Sequence, residues 1–250
     1  MLAIEARGLE KTFADVRAVD GIDVLVERGE ICGLLGPNGA GKTTTIMMLL
    51  GITEPDAGTV SLLGHALPRR RTDAIARTNF WASYLGLPSK MTVREILRVH
   101  TDLYGASRAR AADVVERFSI GELLGRFPQQ MSSGQKTLVG VARAMVNEPD
   151  LLILDEPTAS LDPEIAERIR QTLLTMHRER PFSLLITSHN MTDIERLCRR
   201  VVFIGHGRIV ADDSPAELMA RYGVTDLEET FLEIAAAVRN GRDTERAVPT

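Results

Sequence analysis

Residues 31–44 read Ile-Cys-Gly-Leu-Leu-Gly-Pro-Asn-Gly-Ala-Gly-Lys-Thr-Thr. The apolar run Ile31–Leu35 predicts a strand buried on both faces, and Lys42–Leu50 predicts a helix that ends at Gly51. The glycine-rich loop between them predicts a P-loop, in which backbone N–H groups and the helix N-terminus surround phosphate groups. A dinucleotide-binding fold is disfavoured because Thr44 stands where its third glycine belongs. A glycine turn without a ligand is the remaining alternative.

Each residue type in this loop suits a task in binding a nucleoside triphosphate. Gly36, Gly39 and Gly41 let the backbone curl around phosphate oxygens. Lys42 would reach the β- and γ-phosphates, and the Thr43 hydroxyl would ligate Mg²⁺. The predicted nucleotide-binding residues of the loop are Gly36, Pro37, Asn38, Gly39, Ala40, Gly41, Lys42, Thr43 and Thr44.

A second motif places two carboxylates at the end of a predicted strand. The apolar run Leu151–Leu154 precedes Asp155 and Glu156, at the strand end where α/β sheets bind ligands. Two adjacent carboxylates are costly in such a place unless a cation or a proton-transfer role offsets them. Asp155 suits Mg²⁺, and Glu156 suits positioning and deprotonating the attacking water. A helix N-cap cluster is the alternative, since Pro157 and a threonine follow.

Composition narrows the class of protein. The chain has 250 residues, 44% of them hydrophobic, which is enough for the core of one large domain. The net charge of −4 indicates no strong attraction to nucleic acid. Cys32 and Cys198 lack a CxxC partner, which indicates a reducing compartment. Because no apolar run approaches the ~20 residues that span a bilayer, we expect a soluble, cytosolic protein that reaches a membrane only through a partner.

The periodicity along the chain predicts an α/β core interrupted by helices. Thr92–Leu103, with Thr92 as a cap, and Arg108–Phe118 have helical spacing, and no strand is predicted from residue 84 to 147. We therefore expect one domain over residues 1–240, with a core of 1–83 and 148–240, a helical subdomain of 84–147 and a disordered tail of 241–250. Further elements are predicted at Leu2–Ala6, Ile22–Val26, 58–64, Pro163–Arg178, Ser183–Thr187, Val201–Ile204, Arg208–Ala211, Pro215–Arg221 and Leu227–Val238.

Between the two motifs, Met131-Ser132-Ser133-Gly134-Gln135 resembles the signature motif of ABC ATPases. The resemblance extends over roughly residues 3–235. Ser160-Leu161-Asp162 resembles the D-loop, and Thr187-Ser188-His189 resembles the switch-histidine segment. Phe13 stands where the family usually has an aromatic that stacks on adenine. The fold implied is a P-loop NTPase core of α/β class with an N-terminal antiparallel β subdomain and an inserted α-helical subdomain.

The resemblance also implies a shared mechanism. Two such domains would face head to tail and enclose two ATP molecules with Mg²⁺. Each ATP would contact the loop of one subunit and the signature of the other, while His189 contacts the γ-phosphate and places the water beside Glu156. A structural histidine and a core or turn aromatic are the alternatives for His189 and Phe13. The catalytic residues implied are Glu156, His189 and Lys42, and the nucleotide contacts beyond the loop are Phe13, Ser132, Ser133, Gly134, Gln135 and Asp162.

The sequence departs from the family at two positions. Ser133 replaces the first glycine of the signature, from which we expect weaker or slower closure. Ser83 stands where the family has a glutamine that ligates Mg²⁺ and reports the γ-phosphate to the partner. A serine hydroxyl can ligate Mg²⁺, directly or through water, so we predict Thr43, Asp155 and Ser83 as metal ligands with altered coupling. A degenerate, inactive site is the alternative.

These features favour the ATPase subunit of a membrane transporter. Residues 226–232, Asp-Leu-Glu-Glu-Thr-Phe-Leu, resemble the end of subunits of the ABC-2 exporter group, and the compact length agrees, so export is favoured over import. The expected partners are a second ATP-binding subunit and polytopic permease subunits, which would hold the chain on the inner face of the cell membrane. An ABC ATPase that mechanically regulates a membrane partner without moving cargo is the alternative.

Overall fold

Two β-sheets and the helices around them make up the fold of a computed structural model, which describes residues 1–159 and 161–239. The first sheet is antiparallel, with the order β2-β1-β4-β5. Its strands are β1 (Leu2–Phe13), β2 (Val16–Glu27), β4 (Ala57–Leu62) and β5 (His65–Ala66).

The second sheet has the order β10-β9-β3-β8-β7-β6 and is parallel except for the β9–β10 pair. Parallel strands end at the same edge, so this sheet brings the residues after β3, β6, β7 and β8 together. Its strands are β3 (Ile31–Leu35), β6 (Thr78–Ala82), β7 (Leu151–Asp155), β8 (Ser183–Thr187), β9 (Arg200–Gly205) and β10 (Arg208–Asp213).

Helices cover this sheet, and two short 3₁₀ turns lie between α4 and α5. The helices are α1 (Lys42–Leu49), α2 (Arg71–Ile75), α3 (Val93–Leu103), α4 (Arg108–Arg117), α5 (Ser133–Met145), α6 (Pro163–Glu179), α7 (Met191–Leu197), α8 (Pro215–Tyr222) and α9 (Leu227–Arg239). Among residues 1–159 and 161–239, no helix combines the length and apolarity that crossing a bilayer requires.

Strand β7 shows why the apolar runs of this chain are continuous. Leu151 and Ile153 pack into a core with α1 and the antiparallel sheet. Leu152 and Leu154 face the opposite way, into a core that includes α3, α4 and α5. Because both faces of the strand are covered, its first four residues are all apolar, and Asp155 is its last residue.

Residues 84–147, all described, contain helices and no strand, as the periodicity predicts. Thr92 caps α3 in a capping box with Glu95, whose carboxylate accepts from the Thr92 N–H at 2.8 Å. Helix α3 packs against α4 and α5. The division into core and helical subdomain stays a prediction, and the predicted tail of 241–250 lies outside the described residues.

Several elements differ from the sequence-based expectations. Strands β1 and β2 are longer than predicted because they pair along most of their length, with bulges that break the alternation. Strand β6 and helices α2 and α7 were not predicted. In β6 the buried polar residues Thr78 and Asn79 hide the apolar pattern: Thr78 donates to the carbonyl of Ala74, and Asn79 to that of Ala144.

Candidate functional site

The glycine-rich loop connects β3 to α1 in a conformation that two of its glycines make possible. Gly36 has a φ of 148°, and a Cβ there would lie 2.1 Å from the carbonyl oxygen of Ile204. Gly41 has a φ of 108°, and its Cβ would lie 2.4 Å from the carbonyl oxygen of Ala18. Neither position accepts a side chain, so the packing of the loop against β2 and β9 requires glycine at both.

Lys42 begins α1, and its side chain folds back into the loop. Its Nζ donates to the carbonyl oxygens of Gly36 at 2.6 Å and Pro37 at 3.2 Å. Burial lowers the pKa of Lys42, while the nearby carboxylates Glu156 and Asp155 oppose that shift. The loop thus holds the ammonium group of Lys42 against its own backbone carbonyls. Phosphate oxygens of a bound nucleotide would replace these carbonyls as partners of Lys42.

A cleft of about 390 Å³ opens at this loop. The loop and the residues at the ends of β7 and β8 line it together, because these parallel strands end at the same edge of the sheet. Its lining residues are Ala18, Asn38, Gly39, Ala40, Gly41, Lys42, Thr43, Thr44, Tyr84, Asp155, Glu156 and His189. Most of the predicted loop residues and the predicted acidic and histidine residues therefore meet in one place.

Thr43 and Asp155 form an oxygen pair that fits Mg²⁺. The Thr43 hydroxyl donates to Oδ2 of Asp155 at 3.5 Å, and the Thr187 hydroxyl donates to Oδ1. Mg²⁺ prefers oxygen ligands and usually keeps one or two protein ligands together with phosphates and water. In the described part of the chain, no cluster of three His, Cys, Asp or Glu residues could hold a metal. The donor set thus suits a metal that arrives with a polyphosphate.

Glu156 follows β7 in the left-handed conformation, with a φ of 53°. Its N–H donates to the carbonyl and hydroxyl oxygens of Thr187 at 3.1 and 3.0 Å. Burial raises the pKa of Glu156, and the charges of His189 and Lys42 oppose this shift. Such a carboxylate is more basic than an exposed one, which suits it to accept a proton from water.

The His189 backbone N–H donates to Oε2 of Glu156 at 3.1 Å, and its Nε2 lies 3.1 Å from Oε1. Oε1 is buried and has no well-aligned hydrogen-bond donor among the described residues. The Glu156 carboxylate is thus held by both the backbone and the ring of His189.

The join after β6 places an unexpected residue in the cleft. The Ser83 N–H donates to the carbonyl oxygen of Asp155 at 3.1 Å, but the Ser83 side chain is exposed and does not line the cleft. Tyr84 lines it instead, together with Asp155. Burial and Asp155 raise the pKa of Tyr84 to about 12. Metal ligation by Ser83 stays a prediction, and no motif in the sequence indicates that Tyr84 lines the cleft.

The signature residues lie at the N-terminus of α5, outside this cleft. Ser132 caps the helix, accepting from the Gln135 N–H at 3.2 Å, and both Ser132 and Ser133 are exposed. Gly134 is buried against Ile165 of α6. An exposed helix N-terminus with two hydroxyl groups is a suitable site for an anion, but Ser132 and Ser133 do not line the cleft of their own chain.

Two further predicted residues also lie outside the cleft lining. Asp162 caps α6, accepting from the Glu164 N–H at 2.9 Å, while Ser160 lies outside the described residues. Phe13 ends β1 with half of its surface exposed, and Nζ of Lys11 lies 5.6 Å from its ring centre. The adenine-stacking role of Phe13 and the nucleotide contact of Asp162 stay predictions.

Comparison with known proteins decides the family. The family model described as "ABC transporter" matches residues 19–159. The Nod factor export ATP-binding protein I of Paraburkholderia xenovorans is 40% identical over 246 residues, covering 95% of this chain and 79% of the relative. The protein of the same description from Ralstonia nicotianae is 35% identical over 94% of this chain and 74% of its own length. This chain belongs to the ABC transporter ATP-binding family.

Solved structures agree with this assignment. The ATP-binding subunit of an ABC transporter superposes with a TM-score of 0.85 at 27% identity, covering 93% of this chain and 99% of that structure. A dimeric ATP-binding cassette in a post-hydrolysis state with ADP and phosphate shares the fold, with a TM-score of 0.75 at 21% identity, covering 84% of this chain and 98% of that structure. The predicted fold class is confirmed, and the chain is the ATP-binding subunit of an ABC transporter and an ATP hydrolase.

Proposed function

We propose that this ABC ATPase works as a head-to-tail pair that encloses two ATP molecules and drives export through separate membrane subunits. The observation that carries the pairing is the position of Ser132 and Ser133. These residues are exposed at the N-terminus of α5 and do not line the cleft of their own chain. A signature that binds ATP therefore needs the cleft of a second ATP-binding subunit, either another copy or a close relative.

Each of the cleft residues would have its own role in ATP hydrolysis. Lys42 would exchange its loop carbonyls for the β- and γ-phosphates, and Thr43 and Asp155 would hold Mg²⁺, which would neutralise phosphate charge. Glu156 takes a proton from the water as that water bonds to the γ-phosphorus. The bond from this phosphorus to the β–γ bridging oxygen breaks, giving ADP and phosphate. His189 orients the Glu156 carboxylate and contacts the γ-phosphate.

A groove of about 490 Å³ between α3 and α4 would receive the membrane subunit. Its floor is apolar, with Leu97, Val115 and Leu124, and exposed arginines surround it together with one carboxylate. An amphipathic cytoplasmic segment with acidic residues matches this surface, because apolar area and charge are then both complementary. The charged residues of the groove are Arg94, Arg98, Asp102 and Arg108.

Two features support export as the direction. The relatives at 35–41% identity are described as export ATP-binding proteins. The segment Asp226–Leu232 resembles the corresponding part of ABC-2 exporter subunits. Through its permease the ATPase would lie on the inner face of the cell membrane.

Affinity purification from native membranes tests this function. We expect a polytopic membrane protein to co-purify with the wild type and to be lost with Arg98→Glu, which reverses charge at the groove. Arg178→Glu, on the exposed face of α6, is the matched control and should retain that partner. Recovery of soluble partners alone would contradict the transporter function.

A regulator without cargo is the second candidate, and Ser83 in place of the family's glutamine favours it. Reconstitution of the purified complex in vesicles separates the two. Export requires ATP-dependent movement of a solute across the membrane, whereas a regulator hydrolyses ATP without it.

A further inference from the structure

A fully buried carboxylate, that of Asp193 in the first turn of α7, joins three parts of the chain. It accepts hydrogen bonds from the Arg170 guanidinium in α6, from the Thr158 hydroxyl after β7 and from the Ser188 hydroxyl after β8, the last at 2.8 Å. A buried charge is costly unless it is paired and hydrogen-bonded, and this set of donors provides both. Asp193 does not line the cleft, so any influence it has on the cleft acts through the residues that it holds.

The two hydroxyl donors are sequence neighbours of the proposed catalytic residues. Thr158 lies two residues after Glu156. Ser188 directly precedes His189. Both hydroxyls donate to the same atom, Oδ2 of Asp193. The segment that carries the carboxylate and the segment that carries the histidine are therefore bound to one oxygen atom.

The backbone at Glu156 needs contacts on both sides to keep its conformation. Its φ of 53° lies in the left-handed region, which is unfavourable for residues other than glycine and persists only where surrounding contacts hold it. On one side, the Glu156 N–H donates to the carbonyl and hydroxyl oxygens of Thr187. On the other side the chain turns, and the Ala159 N–H donates to the Glu156 carbonyl at 3.3 Å. The Thr158 hydroxyl binds this turn to Asp193.

Ser188 holds the backbone around His189. Besides donating to Asp193, its Oγ accepts from the Asn190 N–H at 3.0 Å, so it also contacts the chain on the far side of the histidine. The His189 side chain is nearly half exposed, so packing alone does not fix the ring. The distance of 3.1 Å between its Nε2 and the Glu156 carboxylate therefore depends on where the two backbone segments lie.

We propose that Asp193 is a positioning residue for ATP hydrolysis. By binding the two hydroxyl groups at one oxygen atom, it sets the relative position of the Glu156 carboxylate and the His189 ring. A displacement of about 1 Å can lower the rate of an enzyme about a hundredfold, so small shifts of these two segments are enough to affect the reaction. The proposal rests on the proposed roles of Glu156 and His189 and adds to them a residue outside the cleft lining.

A pair of variants at Thr158 tests the proposal in the purified protein. Thr158→Val keeps the size of the side chain and removes the hydroxyl, whereas Thr158→Ser keeps the hydroxyl. We expect Thr158→Val to lower kcat of ATP hydrolysis by about tenfold to a hundredfold with KM unchanged, because this contact positions the reacting groups and not the bound ATP. Thr158→Ser should hydrolyse ATP at close to the wild-type rate.

Thr230→Val is the matched control. Thr230 is buried like Thr158, and its hydroxyl donates to the Asp226 carbonyl at 3.0 Å at the start of α9, outside the cleft lining. We expect this variant to keep the wild-type kcat and KM. Urea denaturation gives the folded fraction of each variant, and kcat is compared per folded chain. A loss of kcat as large in Thr230→Val as in Thr158→Val would overturn the proposal, because it would follow from losing any buried hydroxyl.

Ser188→Ala removes the other hydroxyl and takes the place of Thr158→Val if that variant does not fold. The same loss of kcat at unchanged KM is expected. Wild-type kcat in either folded variant, or a Thr158→Ser variant as slow as Thr158→Val, would overturn the positioning role of Asp193. Glu156→Gln separates the two proposals. If it hydrolyses ATP like the wild type, the proposed function of the cleft fails; if it binds ATP without hydrolysis, that function stands whatever the Thr158 variants show.

Discussion

The Glu156 carboxylate contacts both the backbone N–H and the ring Nε2 of His189, each at 3.1 Å. The ends of β7 and β8 are neighbours, so the pair is fixed by strand order and not by proximity in sequence. Removal of Glu156 should leave ATP binding intact and stop hydrolysis, because only the proton acceptor is lost.

A buried ion pair lies beneath these two residues and stabilises the loops that carry them. Asp193 of α7 is fully buried and accepts from Arg170 of α6, from Thr158 after Glu156, and from Ser188 before His189. The Asp193 carboxylate therefore links α6 to the two loops that carry Glu156 and His189.

We expect Arg170→Met to lower the free energy of unfolding by about 3–5 kcal/mol, because it leaves a buried carboxylate without its cation. Urea denaturation measures this. Arg168→Met is the matched control: Arg168 is partly exposed and pairs with Glu164 one turn away, so its loss should cost less than about 1 kcal/mol. Equal losses in both variants would contradict the role of the buried pair.

The serine caps of α5 and α8 allow capping to be separated from ATP contact. Ser132 and Ser214 both form capping boxes, with Gln135 and Glu217. Ser132→Ala and Ser214→Ala should each lower the free energy of unfolding by about 1 kcal/mol. Only Ser132→Ala should weaken ATP-dependent dimerisation, measured by analytical ultracentrifugation. Equal dimerisation of the two variants would argue against a signature contact.

Gly140 of α5 packs flat against Trp81 of β6, and a Cβ there would lie 2.4 Å from the indole ring. Alanine is favoured over glycine in a helix by about 1 kcal/mol, but overpacking of this kind costs about 1–3 kcal/mol. We therefore expect Gly140→Ala to be destabilising and to shift the fluorescence of Trp81, the only tryptophan. Gly86→Ala is the control, since a Cβ there meets nothing within 4 Å, and its stability and emission should match the wild type.

The ionisation of Asp150 should make the free energy of unfolding depend on pH. Partial burial acts to raise its pKa, but hydrogen bonds and charge from Arg77 and Arg180 outweigh this and lower the pKa below its usual value. A depressed pKa contributes stability that is complete above the unfolded value of about 3.9 and is lost as the pH falls through the folded value. Asp150→Asn should thus be less stable than the wild type at pH 7, and the difference should shrink below about pH 3.9. A difference that is constant with pH in chemical denaturation would contradict this.

Much of the site could be predicted from the sequence because its motifs are local. The loop of residues 36–44 is defined by glycines that the backbone requires, and β3 and β8 match their predicted bounds because both faces of each strand are buried. Asp155 and Glu156 were predicted from the strand they end. These signals depend on neighbours in the chain and need no knowledge of the packing.

Tyr84 and Asp193 could not be predicted because their roles depend on tertiary contacts. Tyr84 reaches the cleft only because the register of β6 and β7 sets Ala82 opposite Asp155, and β6 was hidden by buried polar residues. Asp193 lies in α7, which was not predicted, and its partners Arg170 and Thr158 are 23 and 35 residues away in the sequence.

The measurement that tests the paired site most directly is light scattering of Glu156→Gln with saturating ATP and Mg²⁺. Glutamine cannot accept the proton from water, so ATP stays intact between the cleft of one subunit and Ser132 and Ser133 of the other. We predict a species of twice the 27.5 kDa mass of one chain, which reverts to a single chain when ATP is removed. A single-chain mass at saturating ATP would contradict the account.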